Sequence, residues 1–82
     1  MVRIMPLKKH EEYQEFAKNL LKAELKRHGV TYRDLAARLK EIGLEETERN
    51  LANKISRGGF SAVFFLECLD AAGCTSLRLS DA

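Results

Sequence analysis

Glycines divide this chain. Gly29, Gly43, the Gly58-Gly59 pair and Gly73 recur at intervals of about fifteen residues. Each closes a stretch whose apolar residues repeat at three and four, the spacing of one helix face. Glycine at a helix end takes the left-handed conformation that other residues resist, so each is a natural stop. No segment alternates apolar and polar residues with β-branched enrichment, so no strand is expected. The pattern predicts an all-α fold, a compact bundle of four or five helices. It forms a single domain over 1–82, with an N-terminal arm over 1–8 ended by Pro6 and a C-terminal tail over 74–82.

Helix 1 is expected from about Lys9 to His28. Tyr13, Phe16, Ala17, Leu20, Leu21 and Leu25 form its apolar stripe. Lys18, Lys22 and Lys26 fall four apart on another face, either a solvated surface paired with acids such as Glu15 or a phosphate-facing stripe. Helix 2 opens at Thr31, with Asp34 three residues on completing a capping box. Leu35, Ala36, Leu39 and Ile42 are its expected buried stripe. Helix 3 runs from about Thr47, its N-cap, to Ser56. Helix 4 runs from Ser61, its N-cap, to Ala72, and is apolar around nearly its whole circumference. That predicts burial on more than one side. Phe64, Phe65 and Leu69 are the expected contact of a homodimer. Phe60, Phe64 and Phe65 read as core or dimer packing rather than as base-stacking platforms. Leu77 and Leu79 are placed to pack back on the core or to meet a partner chain.

Composition removes several classes of function. Apolar residues make up 45% and charged residues 32% of 82, which excludes a disordered tail, a collagen-like repeat and a membrane protein. A core of this size leaves little room for a deep substrate pocket. Two cysteines are too few for a disulfide framework and point to a reducing compartment, with Cys68 as a small core hydrophobe. The opening Met1 to Leu7 has no apolar run of signal-peptide length, so a cytoplasmic protein is expected. His10, His28, Cys68 and Cys74 lack tight ligand spacing, so no metal is expected. His28, just before Gly29, suits a helix C-terminus. No phosphate loop, nucleophile elbow or paired acids in an apolar setting appear, and the sequence offers Cys74 no neighbouring base. These absences argue against an enzyme and against a cofactor.

Function is concentrated on helix 3. Only Leu51 and Ile55 are strongly apolar there. At 100° per residue Arg49, Asn50, Asn53, Ser56 and Arg57 point the other way, with Lys54 on the flank. Guanidinium groups pair bidentately with guanine edges or phosphates, and asparagine with adenine. Charge agrees. The formal net charge is +2, but residues 1–60 hold 13 basic and 9 acidic side chains, against 1 and 3 in 61–82. An anionic partner should meet the first three quarters of the chain.

Two helices joined by a short turn, from Thr31-Tyr32-Arg33-Asp34-Leu35-Ala36 to Lys54-Ile55-Ser56-Arg57-Gly58, resemble a helix-turn-helix. More narrowly, Leu25 to Thr31, Asp34 to Ala36, Leu51 to Gly58 and Ser61 resemble the lambda-repressor-like, Cro/repressor type DNA-binding domain. Residues 15–73 are also similar to a family of small uncharacterised bacterial proteins of unknown function. The repressor resemblance implies that Thr31, Tyr32 and Arg33 meet the phosphate backbone at the helix 2 N-terminus. It implies that Arg49, Asn50 and Asn53 face base edges, and that Lys54 and Arg57 hold phosphates. The chain departs from that pattern at Tyr32, where glutamine is common. Lys40-Glu41-Ile42 also lengthen helix 2, and Glu45-Glu46 lengthen the turn. The expectation is a duplex-DNA-binding transcription regulator acting as a homodimer. The alternative is a protein-interaction or antitoxin-like adaptor on the same fold, working through helix 4.

Overall fold

The structure is a computed structural model and describes residues 9–79; the arm over 1–8 and residues 80–82 of the tail lie outside that span. Four helices and no strand form among the described residues: α1 His10–Arg27, α2 Tyr32–Glu41, α3 Glu48–Arg57 and α4 Ala62–Ala72. The all-α expectation holds, with four helices.

α2, α3 and α4 start where a side chain satisfies a first-turn N–H group. Asp34 N–H donates to Thr31 Oγ1 at 3.1 Å, and the Asp34 carboxylate accepts Thr31 N–H at 3.2 Å. The hydroxyls of Thr47 and Ser61 accept from Asn50 and Phe64 N–H at 3.0 and 3.1 Å. The stops are left-handed glycines. Gly58 and Gly73 are themselves the caps of α3 and α4, and Gly29 and Gly43 follow the caps of α1 and α2.

Each of α1 and α2 packs against both α3 and α4, while α1 and α2 do not pair with each other, nor α3 with α4. The core between them is built from Leu21, Leu25, Val30, Leu35, Leu39, Leu51, Ile55, Cys68, Leu69 and Ala72. Two contacts fix the arrangement beyond apolar burial. Arg38 donates to the Ala71 carbonyl at 3.0 Å, tying α2 to the last turn of α4. At the end of α3, Gly58 lies on α1 so closely that a Cβ there would sit 2.2 Å from the Gln14 carbonyl oxygen. Gly58 therefore serves both a left-handed backbone, at φ +68°, and a backbone-on-backbone approach.

Two expectations are corrected. Ile42 is 57% exposed, because α2 ends at Glu41 and the chain turns outward at its cap. Leu44 takes its place: its N–H donates to the Leu39 carbonyl at 2.9 Å, and its side chain packs on the core. Leu69, expected at a dimer contact, is buried in the chain's own core. Phe64 and Phe65 are half-buried against that core and gather round Phe60, at ring-centroid distances of 5.7 and 5.8 Å. As expected, α4 is buried on more than one side, by α1 and by α2, while Val63 and Leu66 stay exposed at 66% and 62%. Leu77 packs back on the core, whereas Leu79 is exposed. No helix among the described residues is long and apolar enough to cross a membrane.

Candidate nucleic-acid interface

The outward face of α3 follows from its sequence. Leu51 and Ile55, four apart, are both fully buried, and they are the only buried side chains of the helix. Everything opposite them is left to solvent. Arg49, Asn50, Asn53 and Arg57 are all exposed. Ser56, on the same face, donates its hydroxyl back to the Ala52 carbonyl at 2.6 Å, so its polar group is used within the helix. Lys54 is held as well. Its ammonium pairs with the Glu46 carboxylate and lies 5.2 Å from the centroid of the Phe64 ring. One of the two acids that lengthen the turn before α3, Glu46, thus folds back onto one of the cations expected to hold phosphate.

At the start of α2 the capping box uses groups that a phosphate would otherwise meet. Thr31 Oγ1 already accepts an N–H, and Asp34 places a carboxylate in the first turn. That carboxylate is exposed, and its pKa lies below the usual value, chiefly through the backbone and side-chain hydrogen bonds with Thr31. It therefore stays ionised and offsets the positive helix end. Arg33 is exposed beside it. Tyr32 is half-buried against the core. Burial raises its phenol pKa, and the Lys18 charge partly offsets this.

Two concave regions bring the basic residues together. Where α1 and α2 splay apart, a groove of about 730 Å³ is lined by Lys22, Lys26, Val30, Thr31 and Tyr32, among others. Beside the end of α3, a smaller hollow of about 240 Å³ is lined by Lys54, Arg57, Phe60, Ser61 and Phe64. The lysine stripe of α1 therefore divides. Lys18 pairs with Glu15 at 2.8 Å, while Lys22 and Lys26 join Thr31 and Tyr32 at the groove. No described contact brings Arg49, Asn50 or Asn53 to either concavity.

One polar group escaped the sequence reading. Glu24 is 1% exposed, inside the apolar stripe of α1. Arg27 donates to its Oε2, while His28 Nε2 and Cys74 Sγ lie 3.8 and 3.4 Å from its Oε1. The expectation that the histidines and cysteines stay scattered is thus corrected for His28 and Cys74. Their donor atoms and that of Glu24 lie within 4.8 Å of one another. The missing signal was an acid at the i+3 and i+4 positions from Leu21 and Leu20, four residues before a histidine. Cys74 also has a carboxylate and an imidazole for neighbours, which its sequence context did not show. Its thiol pKa is raised, first by desolvation and then by the hydrogen bond to Glu24.

No curated protein and no solved structure matches the chain. A family model described as a domain of unknown function, DUF6471, matches residues 13–77. The match takes in α2, α3 and α4 entire and α1 from Tyr13 onward, and it meets the expected similarity to a family of small uncharacterised proteins. The protein belongs to the DUF6471 domain family.

Proposed function

We propose that this chain is a duplex-DNA-binding transcription regulator of the helix-turn-helix type, with α3 as the reading helix. The observation that supports it most is the division of α3: two buried side chains fix it, and Arg49, Asn50, Asn53 and Arg57 are left exposed on a firm support. A helix of that kind suits a major groove, where arginine and asparagine read base edges. The order of capped α2, turn and α3 is also that of the repressor-like domains the sequence resembles. In this reading Arg57 contacts phosphate near the end of α3. Lys22 and Lys26 add charge at the groove beside Thr31 and Tyr32. Arg33 and Lys54 are secondary, Lys54 because Glu46 already holds it. A homodimer would place two such helices on adjacent half-sites.

The test is selection of sites from a random duplex library at two salt concentrations, with Arg49→Ala/Asn53→Ala protein in parallel. The expected result is an enriched motif whose binding falls by about 1–3 kcal/mol for each lost base contact. Both substitutions should leave folding stability within about 0.5 kcal/mol, since neither side chain is buried. Unenriched binding that vanishes at the higher salt would sink the reading and leave only charge.

A second reading, an interaction module acting through α4, is favoured by Val63 and Leu66, two large apolar side chains exposed one turn apart. Sedimentation of wild-type and Leu66→Asp protein separates the two. Association lost on Leu66→Asp, with no DNA motif enriched, would favour the module.

A further inference from the structure

We propose that Glu24, His28 and Cys74 form a binding site for one zinc-type divalent ion, with Glu24 Oε1, His28 Nε2 and Cys74 Sγ as ligands and one coordination position open to solvent. The inference uses no residue of the DNA-facing set and stands apart from that reading.

The donor atoms converge on a point. Glu24 Oε1 lies 3.4 Å from Cys74 Sγ and 3.8 Å from His28 Nε2, and all three atoms fall within 4.8 Å of one another. Zinc bonds of about 2.0 Å to oxygen or nitrogen and 2.3 Å to sulfur, at tetrahedral angles, set ligands roughly 3.3–3.6 Å apart. One edge of that triangle already fits, and a rotamer adjustment of the half-exposed imidazole closes the others. A thiolate, an imidazole and a carboxylate together suit a borderline-soft ion rather than magnesium or calcium, which want oxygen. The arrangement is not that of a nucleophilic relay. A relay needs the imidazole between thiol and carboxylate, whereas here both groups face the same carboxylate oxygen.

The scaffold supports the site from both sides. Glu24 and His28 are four apart and share one face of α1. Cys74 is pinned just past α4 by its own N–H, which donates to the Leu69 carbonyl at 2.9 Å. Two helix C-termini meet here, and the partial negative charge of each favours a cation. Arg27 holds Oε2, which orients the carboxylate and leaves Oε1 toward the other donors. The dication is matched by the carboxylate and by the thiolate formed when the Cys74 proton leaves to solvent, with a neutral imidazole as third ligand; the partly exposed Arg27 guanidinium on Oε2 leaves one positive charge for solvent to screen. Proton release makes binding tighten as pH rises.

The full chain, stripped with chelator, is titrated with CoCl₂ and then ZnCl₂. We expect one cobalt per chain, a near-ultraviolet sulfur-to-cobalt charge-transfer band, and its displacement by zinc. Cys74→Ser should abolish the band, and His28→Gln should weaken affinity by at least about a hundredfold, since even outer-shell partners cost 10–100-fold. His10→Gln and Cys68→Ala should bind as wild type. Glu24 is buried and paired, so these two more exposed ligands carry the test and need not perturb folding. Absence of the band, or a band kept by Cys74→Ser or lost with Cys68→Ala, would overturn the site; so would unchanged affinity in His28→Gln.

Discussion

α3 and the junction where α1 and α4 end are held in opposite ways. α3 is fixed mainly by apolar and backbone contacts, through Leu51, Ile55 and the seating of Gly58 on Gln14, with Thr47 capping its start and Lys54 pinned on Glu46 and Phe64. The exposed Arg49, Asn50, Asn53 and Arg57 lie outside that buried contact. At the junction the polar groups are inside: Glu24 is buried and joined to Arg27, His28 and Cys74. The difference teaches how chemistry and stability are shared. On α3 the exposed arginines and asparagines can be exchanged without touching the core. At the junction the group that offers chemistry, Glu24, is itself a buried carboxylate, so exchanging it affects both.

The largest effect should come from attacking what fixes α3. Gly58→Ala forces a side chain into a left-handed backbone and drives its Cβ against the Gln14 carbonyl. The strain costs about 1–2 kcal/mol and the overpacking about 1–3 kcal/mol more. Gly43→Ala has the same backbone problem, at φ +88°, but open space around it, so only the first cost applies. Urea denaturation of both variants measures the gap. Equal losses would mean that α3 is not seated on α1 through Gly58, and the contrast between the two regions would weaken.

The glycine spacing made those turns legible before any coordinates, as did the caps at Thr31, Thr47 and Ser61, because each depends on residues within four positions. The α3 face was legible for the same reason: Leu51 and Ile55 define its inside and everything else follows from 100° steps. Ile42 was misplaced because periodicity was carried one residue past the point where the helix stopped. Leu69 was misassigned because an all-apolar helix does not say which side meets its own chain. The junction was invisible for a different reason. Cys74 and Glu24 are fifty positions apart, and only the packing of α4 on α1 brings them together. Whether the α3 face reads DNA is a matter of partners, which neither periodicity nor packing supplies.

The two cysteines sharpen the comparison through pH. Cys68 is fully buried in α4, and its thiol is pushed from 9.0 up to about 12, first by desolvation and then by Glu67. In the unfolded chain the thiol ionises near its ordinary value, while in the folded chain it keeps its proton. Stability is therefore fully present below pH 9 and falls as pH rises toward 12, at a limiting slope of about 1.4 kcal/mol per pH unit. Cys68→Ala lacks that slope but leaves a small cavity costing about 1 kcal/mol at neutral pH. Urea midpoints should thus favour wild type at pH 7 and converge or cross about one unit above pH 9. Parallel curves would show that Cys68 does not stay protonated in the folded chain.

The smallest expected effect tests whether α2 stands near phosphate at all. Asp34 has a lowered pKa in the folded chain, so its contribution is present above the ordinary carboxylate range and lost as pH falls through the folded value. Asp34→Asn keeps an oxygen for the Thr31 N–H but removes the charge at the helix N-terminus. Its melting temperature should sit slightly below wild type at pH 7, and the two should meet in acid. On DNA the sign reverses. Removing a carboxylate beside Thr31 and Arg33 lowers repulsion of a phosphate there, so affinity should rise roughly two- to fivefold at low salt, with the gain fading as salt screens it. A small loss of stability with a small gain in affinity is a combination that a purely structural cap does not produce. If DNA affinity is unchanged while the melting temperature falls, the α2 N-terminus faces solvent in the complex, and recognition rests on α3 alone.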